Sequence, residues 1–158
     1  MLDGIKISFI AIVDNNNRYR KDLTERIWEH EKHVRGLLKN KTCLVGRKTF
    51  EMTNWKGPRS WVLTRNINWR RSGIGTIHSI DDLHLFVEDN KIYVLGGKSL
   101  YEQLAEYVDE MHLYVFNNKK GEEDWIRFNM KEWQPIDYSS NKVWSYAKLE
   151  RKQKEIDQ

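Results

Sequence analysis

Short apolar runs separated by helix-like segments constrain the fold of this chain more than any other feature. The runs Ile5–Val13, Thr42–Val45, Ser60–Thr64 and Lys91–Leu95 have the length and composition of buried strands. The segment Asp22–Asn40 begins with a capping-box pattern and then keeps apolar residues at an approximate helical spacing. Strands that alternate with helices predict a parallel sheet whose strands are joined by crossover connections.

The carboxyl-terminal part of the chain predicts a different kind of strand pairing. Met111–Phe116 predicts a further strand, while Trp133–Tyr138 and Val143–Leu149 flank a polar turn and predict an antiparallel hairpin. Gly75–Ile77 is a weaker strand candidate, and Ser99–Tyr107 is helix-like. We therefore expect an α/β fold with a mixed, mostly parallel central sheet, flanked by helices and closed by the hairpin.

Length and composition set the outer limits. The chain has 158 residues, 39% of them hydrophobic, which argues against disorder. We expect one domain over residues 1–158, with residues 152–158 frayed. The longest apolar run, Ile10–Val13, is far shorter than the roughly 20 residues of a membrane span. The lone Cys43 excludes an intramolecular disulfide, and the dispersed net charge of +4 indicates no partner. We expect a cytoplasmic monomer that binds a small molecule and no membrane.

Three predicted strands end in residues suited to phosphate binding: Gly46–Thr49, Thr64–Arg65 and Gly96–Ser99. Ligands of open α/β sheets bind beyond the carboxyl ends of the strands. Glycines allow close backbone approach, and helix N-termini with Arg and Lys bind phosphate. Considered singly, the glycine pair is typical of an ordinary strand-to-helix turn, and each arginine is typical of a solvated loop. Together, the three ends favour a nucleotide-like ligand with several phosphates.

Three blocks of the sequence resemble the dihydrofolate reductases: Val45–Glu51, Trp61–Arg65 and Ile92–Tyr101. Their order and spacing also match that family. In addition, Ile7–Ala11 and Asp109–Leu113 resemble two of its strands, so the resemblance covers nearly the whole chain.

The resemblance implies an NADPH cofactor. It implies that Arg47 and the Thr64–Arg65 pair meet the adenosine 2′-phosphate, and that Gly96 and its neighbours carry the pyrophosphate. The implied reaction is hydride transfer from nicotinamide to a pterin C=N bond, with a proton added to the adjacent nitrogen, in tetrahydrofolate synthesis for one-carbon metabolism. The full set of implied cofactor residues is Ala11, Gly46, Arg47, Lys48, Thr49, Thr64, Arg65, Gly96, Gly97, Lys98, Ser99 and Leu100.

The sequence departs from the family pattern on the substrate side. His30 stands where the family places a carboxylic acid, and Tyr114 stands where a Thr partners that acid. Glu29 and Glu31 replace the acid only if the helix register shifts, because adjacent helical residues point about 100° apart. The implied substrate contacts are Ile10, Val34, Arg59, Leu95 and Tyr101.

Both replacements have two interpretations. His30 is a candidate acid, because an imidazole donates a proton around neutral pH; alternatively, it is a partly exposed helix residue with no catalytic part. Tyr114 either fills volume near the pocket or provides an alternative donor.

The tryptophans also have two interpretations. Trp28, Trp55 and Trp61 suit the border of a flat ring ligand, but burial in the core is the more frequent explanation. Trp133 is typical of a core or hairpin position. The segment Trp69–Arg71 favours a solvated loop over a nucleic-acid contact, because no recognised binding module surrounds it.

Three functions fit these observations. The first is an NADPH-dependent reductase of dihydrofolate or a related pterin, with an altered acid. The second is a non-catalytic nucleotide-binding or assembly protein on the same scaffold. The changes at His30 and Tyr114 favour it. The segment Asn17–Ile27 also favours it, because it lacks the Pro-Trp pair that the resemblance implies for the loop over the active site. The third keeps the cofactor and reduces a pyrimidine or pterin precursor that carries a ribose. Nucleic-acid binding is the least favoured.

Overall fold

The secondary structure follows the predicted alternation of strands and helices. The computed structural model of the chain describes residues 4–14, 32–53, 59–87, 89–116, 130–142 and 144–152. The strands in these ranges are β1 (Lys6–Val13), β2 (Cys43–Gly46), β3 (Ser60–Leu63), β4 (Gly75–Ile77), β5 (Lys91–Val94), β6 (Val108–Phe116), β7 (Trp133–Ser140) and β8 (Trp144–Arg151). The helices are α1 (Lys32–Leu38), α2 (Arg47–Thr53) and α3 (Lys98–Leu104), with 3₁₀ helices at Ile80–Leu85 and Met130–Glu132.

The described strands form one mixed sheet in the order β4-β3-β2-β5-β1-β6-β8-β7. Every pair from β4 to β6 is parallel, whereas β8 runs antiparallel to both β6 and β7. The predicted α/β fold, the mostly parallel sheet and the closing hairpin are therefore confirmed. The parallel pairs also place the carboxyl ends of β3, β2 and β5 next to one another at one edge of the sheet.

The two faces of the sheet carry separate apolar clusters. Along β1, Phe9 and Ala11 point to one cluster while Ile10 and Ile12 point to the other, as the two-residue period of a strand requires. The first cluster receives α3 and the Ile80–Leu85 helix, and the second receives α1 and α2. Because both faces of β1 are covered, its sequence reads as a continuous apolar run.

Two element boundaries differ from the prediction by three residues, and several others differ by one or two. Helix α3 ends at Leu104, and β6 already begins at Val108. The side chain of Arg151 stabilises this connection, because its guanidinium donates to the carbonyl oxygens of Ala105 and Val108 at 2.9 and 3.0 Å. A contact between residues so far apart in sequence has no local signature.

The tryptophans in the described ranges pack within the protein. Trp69 is 7% exposed and meets the Phe50 ring edge-on, with the ring centroids 5.8 Å apart. The prediction of a solvated loop is therefore wrong for Trp69, because the β3–β4 connection folds back over α2. Trp61 is half-buried against Phe86, and Trp133 is buried as expected. Trp28 and Trp55 lie outside the described residues.

Candidate active site

The strand ends singled out for phosphate binding are brought together. The strands β3, β2 and β5 are neighbours and run in the same direction, so the segments after Leu63, Val45 and Val94 lie side by side. The backbone amide of Gly46 donates to the carbonyl oxygen of Gly96 across 2.7 Å, which joins two of these ends directly. One continuous backbone surface results.

The backbone conformation at this junction favours glycine at position 96. Gly96 has a φ of 115°, which side-chain-bearing residues rarely adopt, and its peptide bond to Gly97 is cis. A Cβ on Gly46 would lie 3.6 Å from the Gly96 oxygen and the Gly97 nitrogen. These distances are ordinary van der Waals contacts, so space alone does not require glycine at position 46. Backbone without side chains allows another group to approach it closely.

We call the carboxyl ends of β2, β3 and β5 the phosphate-binding edge. Its cationic side chains differ in whether they already form an ion pair. Arg47 forms an ion pair with Glu51, at 3.1 Å between Nη1 and Oε2. Lys48 and Arg65 are exposed, and neither takes part in a hydrogen bond or an ion pair with the described residues. Lys98 is half-buried at the start of α3. Arg65 and Lys48 are therefore the cations most available to a phosphorylated ligand.

The hydroxyl residues at the same edge mainly support the backbone. Thr64 is buried, and its Oγ1 accepts from the Asn66 amide at 3.1 Å, which shapes the turn after β3. Thr49 is also buried, whereas Ser99 is exposed and its Oγ accepts from the Gln103 amide group. Thr64 therefore supports the backbone of the turn that carries Arg65.

Glu51 connects α2 to the β3–β4 loop, a role that the sequence interpretation missed. Its carboxylate accepts from the Trp69 indole at 3.1 Å and lies near Arg47 and Arg71. The Trp69 hydrogen bond and the two guanidinium groups hold the pKa of Glu51 below its usual value, despite an opposing desolvation effect. The acidic residue within an otherwise basic Val45–Glu51 block was the available signal.

An apolar wall lies beside the phosphate-binding edge. Ile10, Val34 and Leu95 are buried in the same cluster, which brings together three residues far apart in sequence. Tyr101 packs on the opposite face, against Phe9, and its hydroxyl donates to the Ile10 carbonyl at 2.5 Å. This hydrogen bond connects α3 to β1. The flanking Ala11 and Leu100 are buried in the Phe9 cluster.

Arg59 is not brought to the phosphate-binding edge. It directly precedes β3, so it lies at the amino end of that strand, whereas Arg65 follows the carboxyl end. Its side chain is exposed, and its carbonyl oxygen accepts from the Cys43 amide at 2.9 Å. A contact between Arg59 and the substrate stays a prediction.

The position expected to hold the acid is described only in part. His30, Glu29 and Glu31 lie outside the described residues. Tyr114 is fully buried, and its hydroxyl oxygen is 2.6 Å from Nδ1 of His33. His33 was not singled out from the sequence, although it stands three residues after His30, which is the spacing of neighbours on one helix face.

Comparison with known proteins matches the dihydrofolate reductase family model to residues 6–153. The chain belongs to the dihydrofolate reductase family. A dihydrofolate reductase of Staphylococcus aureus (strain Mu50 / ATCC 700699) is 31% identical over 106 residues, or 65% of each chain. The chain therefore matches slightly less than two thirds of that relative's length. The dihydrofolate reductase type 3 of Salmonella typhimurium is 26% identical over 141 residues, which cover 85% of this chain and 87% of that protein.

A solved structure supports the fold assignment. The dihydrofolate reductase from Enterococcus faecalis, complexed with NADP(H) and RAB-propyl, aligns with a TM-score of 0.73. The alignment covers 96% of this chain and 99% of the other, at 16% sequence identity. The likeness establishes that this member of the dihydrofolate reductase family keeps the same chain fold.

A buried polar network occupies the α1 face of the sheet in this family member. Nε2 of His112 lies 3.1 Å from Glu110, and its Nδ1 lies 2.7 Å from the Tyr146 hydroxyl. Lys91 and Lys6 approach the Glu110 carboxylate at 2.8 and 3.3 Å. Burial acts to raise the pKa of Glu110, but hydrogen bonds from His112 and Lys91 outweigh it, so the pKa lies well below the usual range. The carboxylate is therefore ionised in the folded protein.

Three other buried groups, His112, Tyr146 and Cys43, are favoured in their neutral forms. Burial lowers the pKa of His112 and outweighs the opposing effect of Glu110, and burial raises the pKa of Tyr146. Burial also raises the pKa of the Cys43 thiol to about 12, so this cysteine is not a reactive nucleophile.

Across the described part of the chain, no helix is both long and apolar enough to cross a bilayer.

Proposed function

We propose that the chain is an NADPH-dependent oxidoreductase that transfers a hydride to the C=N bond of dihydrofolate, giving tetrahydrofolate. The observation that supports this most strongly is that the carboxyl ends of β2, β3 and β5 meet beside an apolar wall. The Gly46 amide is hydrogen-bonded to the Gly96 oxygen at their junction. Family membership supports the same activity. NADPH supplies the hydride, and the protein supplies binding, orientation and a dry pocket.

The phosphate-binding edge accounts for cofactor recognition. The exposed guanidinium of Arg65 and the ammonium of Lys48 pair with the adenosine 2′-phosphate, because charge-assisted hydrogen bonds are stronger than neutral ones. Arg47 contributes from its ion pair with Glu51. The Gly96–Gly97 backbone and the first turn of α3, with Lys98 and Ser99, receive the pyrophosphate.

The apolar wall accounts for orientation. Ile10, Val34 and Leu95 exclude water from the face of the reacting ring. The hydrogen bond from Tyr101 to the Ile10 carbonyl keeps α3 at a constant distance from β1. Holding two rings in a fixed stack removes much of the entropic barrier to hydride transfer.

Loss of NADPH absorbance with and without dihydrofolate tests the proposal directly. We expect substrate-dependent oxidation that rises in proportion to enzyme concentration. Calorimetric binding of NADPH without any turnover, even at high enzyme concentration, would contradict the reductase and favour the non-catalytic scaffold. Turnover with a ribosylated pyrimidine or pterin precursor but not with dihydrofolate would favour the third function considered above.

A further inference from the structure

His33 and Tyr114 form a polar pair inside an otherwise apolar region. The Tyr114 hydroxyl lies 2.6 Å from Nδ1 of His33, although 81 positions separate the two residues in sequence. Tyr114 is completely buried, whereas His33 on α1 is only partly buried. The histidine is therefore the member of the pair that a ligand or a solvent proton can reach.

Aromatic rings hold the imidazole in one orientation. Its centroid lies 4.4 Å from that of Tyr146, 5.6 Å from that of Tyr114 and 5.8 Å from that of Trp144. When neutral His33 accepts a hydrogen bond from the Tyr114 hydroxyl at Nδ1, the ring's own proton is on Nε2. When the ring is an imidazolium, both nitrogens carry protons and Nδ1–H donates to the hydroxyl oxygen. In both of these arrangements Nε2 carries a proton.

The pair lies beside the apolar wall of the candidate active site. Tyr114 is the β6 partner of Ile12, two residues beyond Ile10 on the same face of β1. His33 directly precedes Val34, which is itself part of the wall. The pair therefore lies on the α1 face of the sheet, two strands away from β5.

We propose that His33 holds the proton used in the reduction and that Tyr114 is the positioning residue that fixes its ring. This inference rests on the proposed reductase function. The imidazolium gives its Nε2 proton to the ring nitrogen beside the carbon that receives the hydride, becomes neutral, and regains a proton from solvent. One proton and one hydride are consumed in each turnover, so the balance is that of a C=N reduction.

Among the described residues, the titratable groups that contact the His33 ring lie on β6 and β8. Tyr114 on β6 and Tyr146 on β8 face the ring, and burial raises the pKa of Tyr146, so that phenol is neutral. Behind Tyr146 lies His112, which burial also favours in the neutral form. On the helix itself, the exposed side chains of Lys32 and Arg35 flank His33. The described groups that contact the imidazole directly are therefore uncharged.

Four variants test the inference: His33→Gln, Tyr114→Phe, His30→Gln and the control His84→Gln, which lies on the exposed surface of the Ile80–Leu85 helix. For each, kcat and KM for dihydrofolate are measured across pH at saturating NADPH, and the NADPH dissociation constant is measured separately. Nitrogen NMR of the imidazoles reports the state of His33 without any need for turnover.

We expect His33→Gln to lower kcat at least tenfold and to flatten its pH profile, with the NADPH dissociation constant changed less than twofold. We expect Tyr114→Phe to shift the His33 nitrogen resonances and displace the pH profile. We expect His84→Gln to match the wild type. These results support His33 as the residue that holds the proton and Tyr114 as the residue that positions it.

Other results overturn it. An active wild type with an unchanged profile in His33→Gln, or a profile lost only in His30→Gln, excludes His33 from the proton transfer. Unchanged His33 resonances in folded Tyr114→Phe exclude the positioning role. A wild type with no dihydrofolate-dependent oxidation overturns the proposed function and the proton role together.

Discussion

The Gly46 amide donates a hydrogen bond to the Gly96 carbonyl oxygen across 2.7 Å, so the ends of two parallel strands share one surface. Strand β2 and strand β5 are neighbours in the sheet, although 50 residues separate the two glycines in the sequence. The contact leaves no side chain between the strand ends, which is the condition for a phosphate chain to lie against backbone N–H groups.

Gly96→Ala tests this surface. Because Gly96 has a φ of 115°, alanine there is strained by about 1–3 kcal/mol, and the backbone shifts to relieve that strain. We expect NADPH binding to weaken by about tenfold or more in calorimetry. The control is Gly36→Ala, at a helical glycine with open space around it, which should leave NADPH binding unchanged. Equal affinities in both variants would contradict the assignment of the pyrophosphate to this surface.

Arg65→Ala tests cofactor selection. The exposed Arg65 lies at the phosphate-binding edge, so its removal deletes charge-assisted hydrogen bonds of roughly 1.5–3 kcal/mol with a 2′-phosphate. NADPH affinity should fall about tenfold or more, with NADH affinity nearly unchanged. Arg47→Ala should have a smaller effect, because that guanidinium is shared with Glu51.

The matched control for Arg65 is Lys152→Ala, an exposed cation that follows β8 at the opposite edge of the sheet. It changes the net charge by the same amount and should not alter the ratio of NADPH to NADH affinity. Parallel losses in Arg65→Ala and Lys152→Ala would mean that the overall charge, not a specific site, controls binding.

The Glu110 network predicts acid sensitivity in two stages. Burial lowers the pKa of His112 below 6.5 in the folded protein. The neutral imidazole therefore contributes its full stability above pH 6.5, and the free energy of unfolding decreases as the pH falls below that value. The pKa of Glu110 is held below its usual value of 4.5. The stability that its carboxylate contributes is therefore retained down to about pH 4.5 and is lost at lower pH. Urea unfolding at a series of pH values should show both stages.

Glu110→Gln isolates the second stage. It leaves Lys91 without its buried carboxylate partner, and we expect a loss of roughly 3 kcal/mol in the free energy of unfolding at neutral pH. The loss of stability below pH 4.5 should be smaller in this variant than in the wild type. Glu132→Gln, which removes an exposed ion pair with Arg151, should cost less than about 1 kcal/mol. A loss of similar size in both variants would contradict the special role of the buried carboxylate.

Gly75→Ala tests the packing at the sheet edge. A Cβ at Gly75 would overlap the indole ring of Trp61 on the paired strand β3, and that ring is itself packed against Phe86. We expect a destabilisation of about 1–3 kcal/mol by thermal or urea unfolding, because the ring has to move. An unchanged stability would show that Trp61 repacks freely.

Much of the fold was predictable because it has a local signature. The apolar run that became β1, the short strand Cys43–Gly46 and the hairpin of β7 and β8 were all anticipated, since strand periodicity and turn residues are read within a few positions. Trp69 was misjudged because its neighbours are two arginines, while its burial depends on Phe50 and Glu51 from another element.

The sequence by itself determined the class of the fold and the three strand ends suited to phosphate, because these depend on residue type and spacing along the chain. Only the tertiary structure decided which side chains meet across the sheet. Glu110 contacts Lys91 because β5 and β6 lie on either side of β1 in the sheet. Tyr114 contacts His33 because α1 packs on the sheet next to β6. Such contacts depend on the order and packing of whole elements, and no local pattern records them.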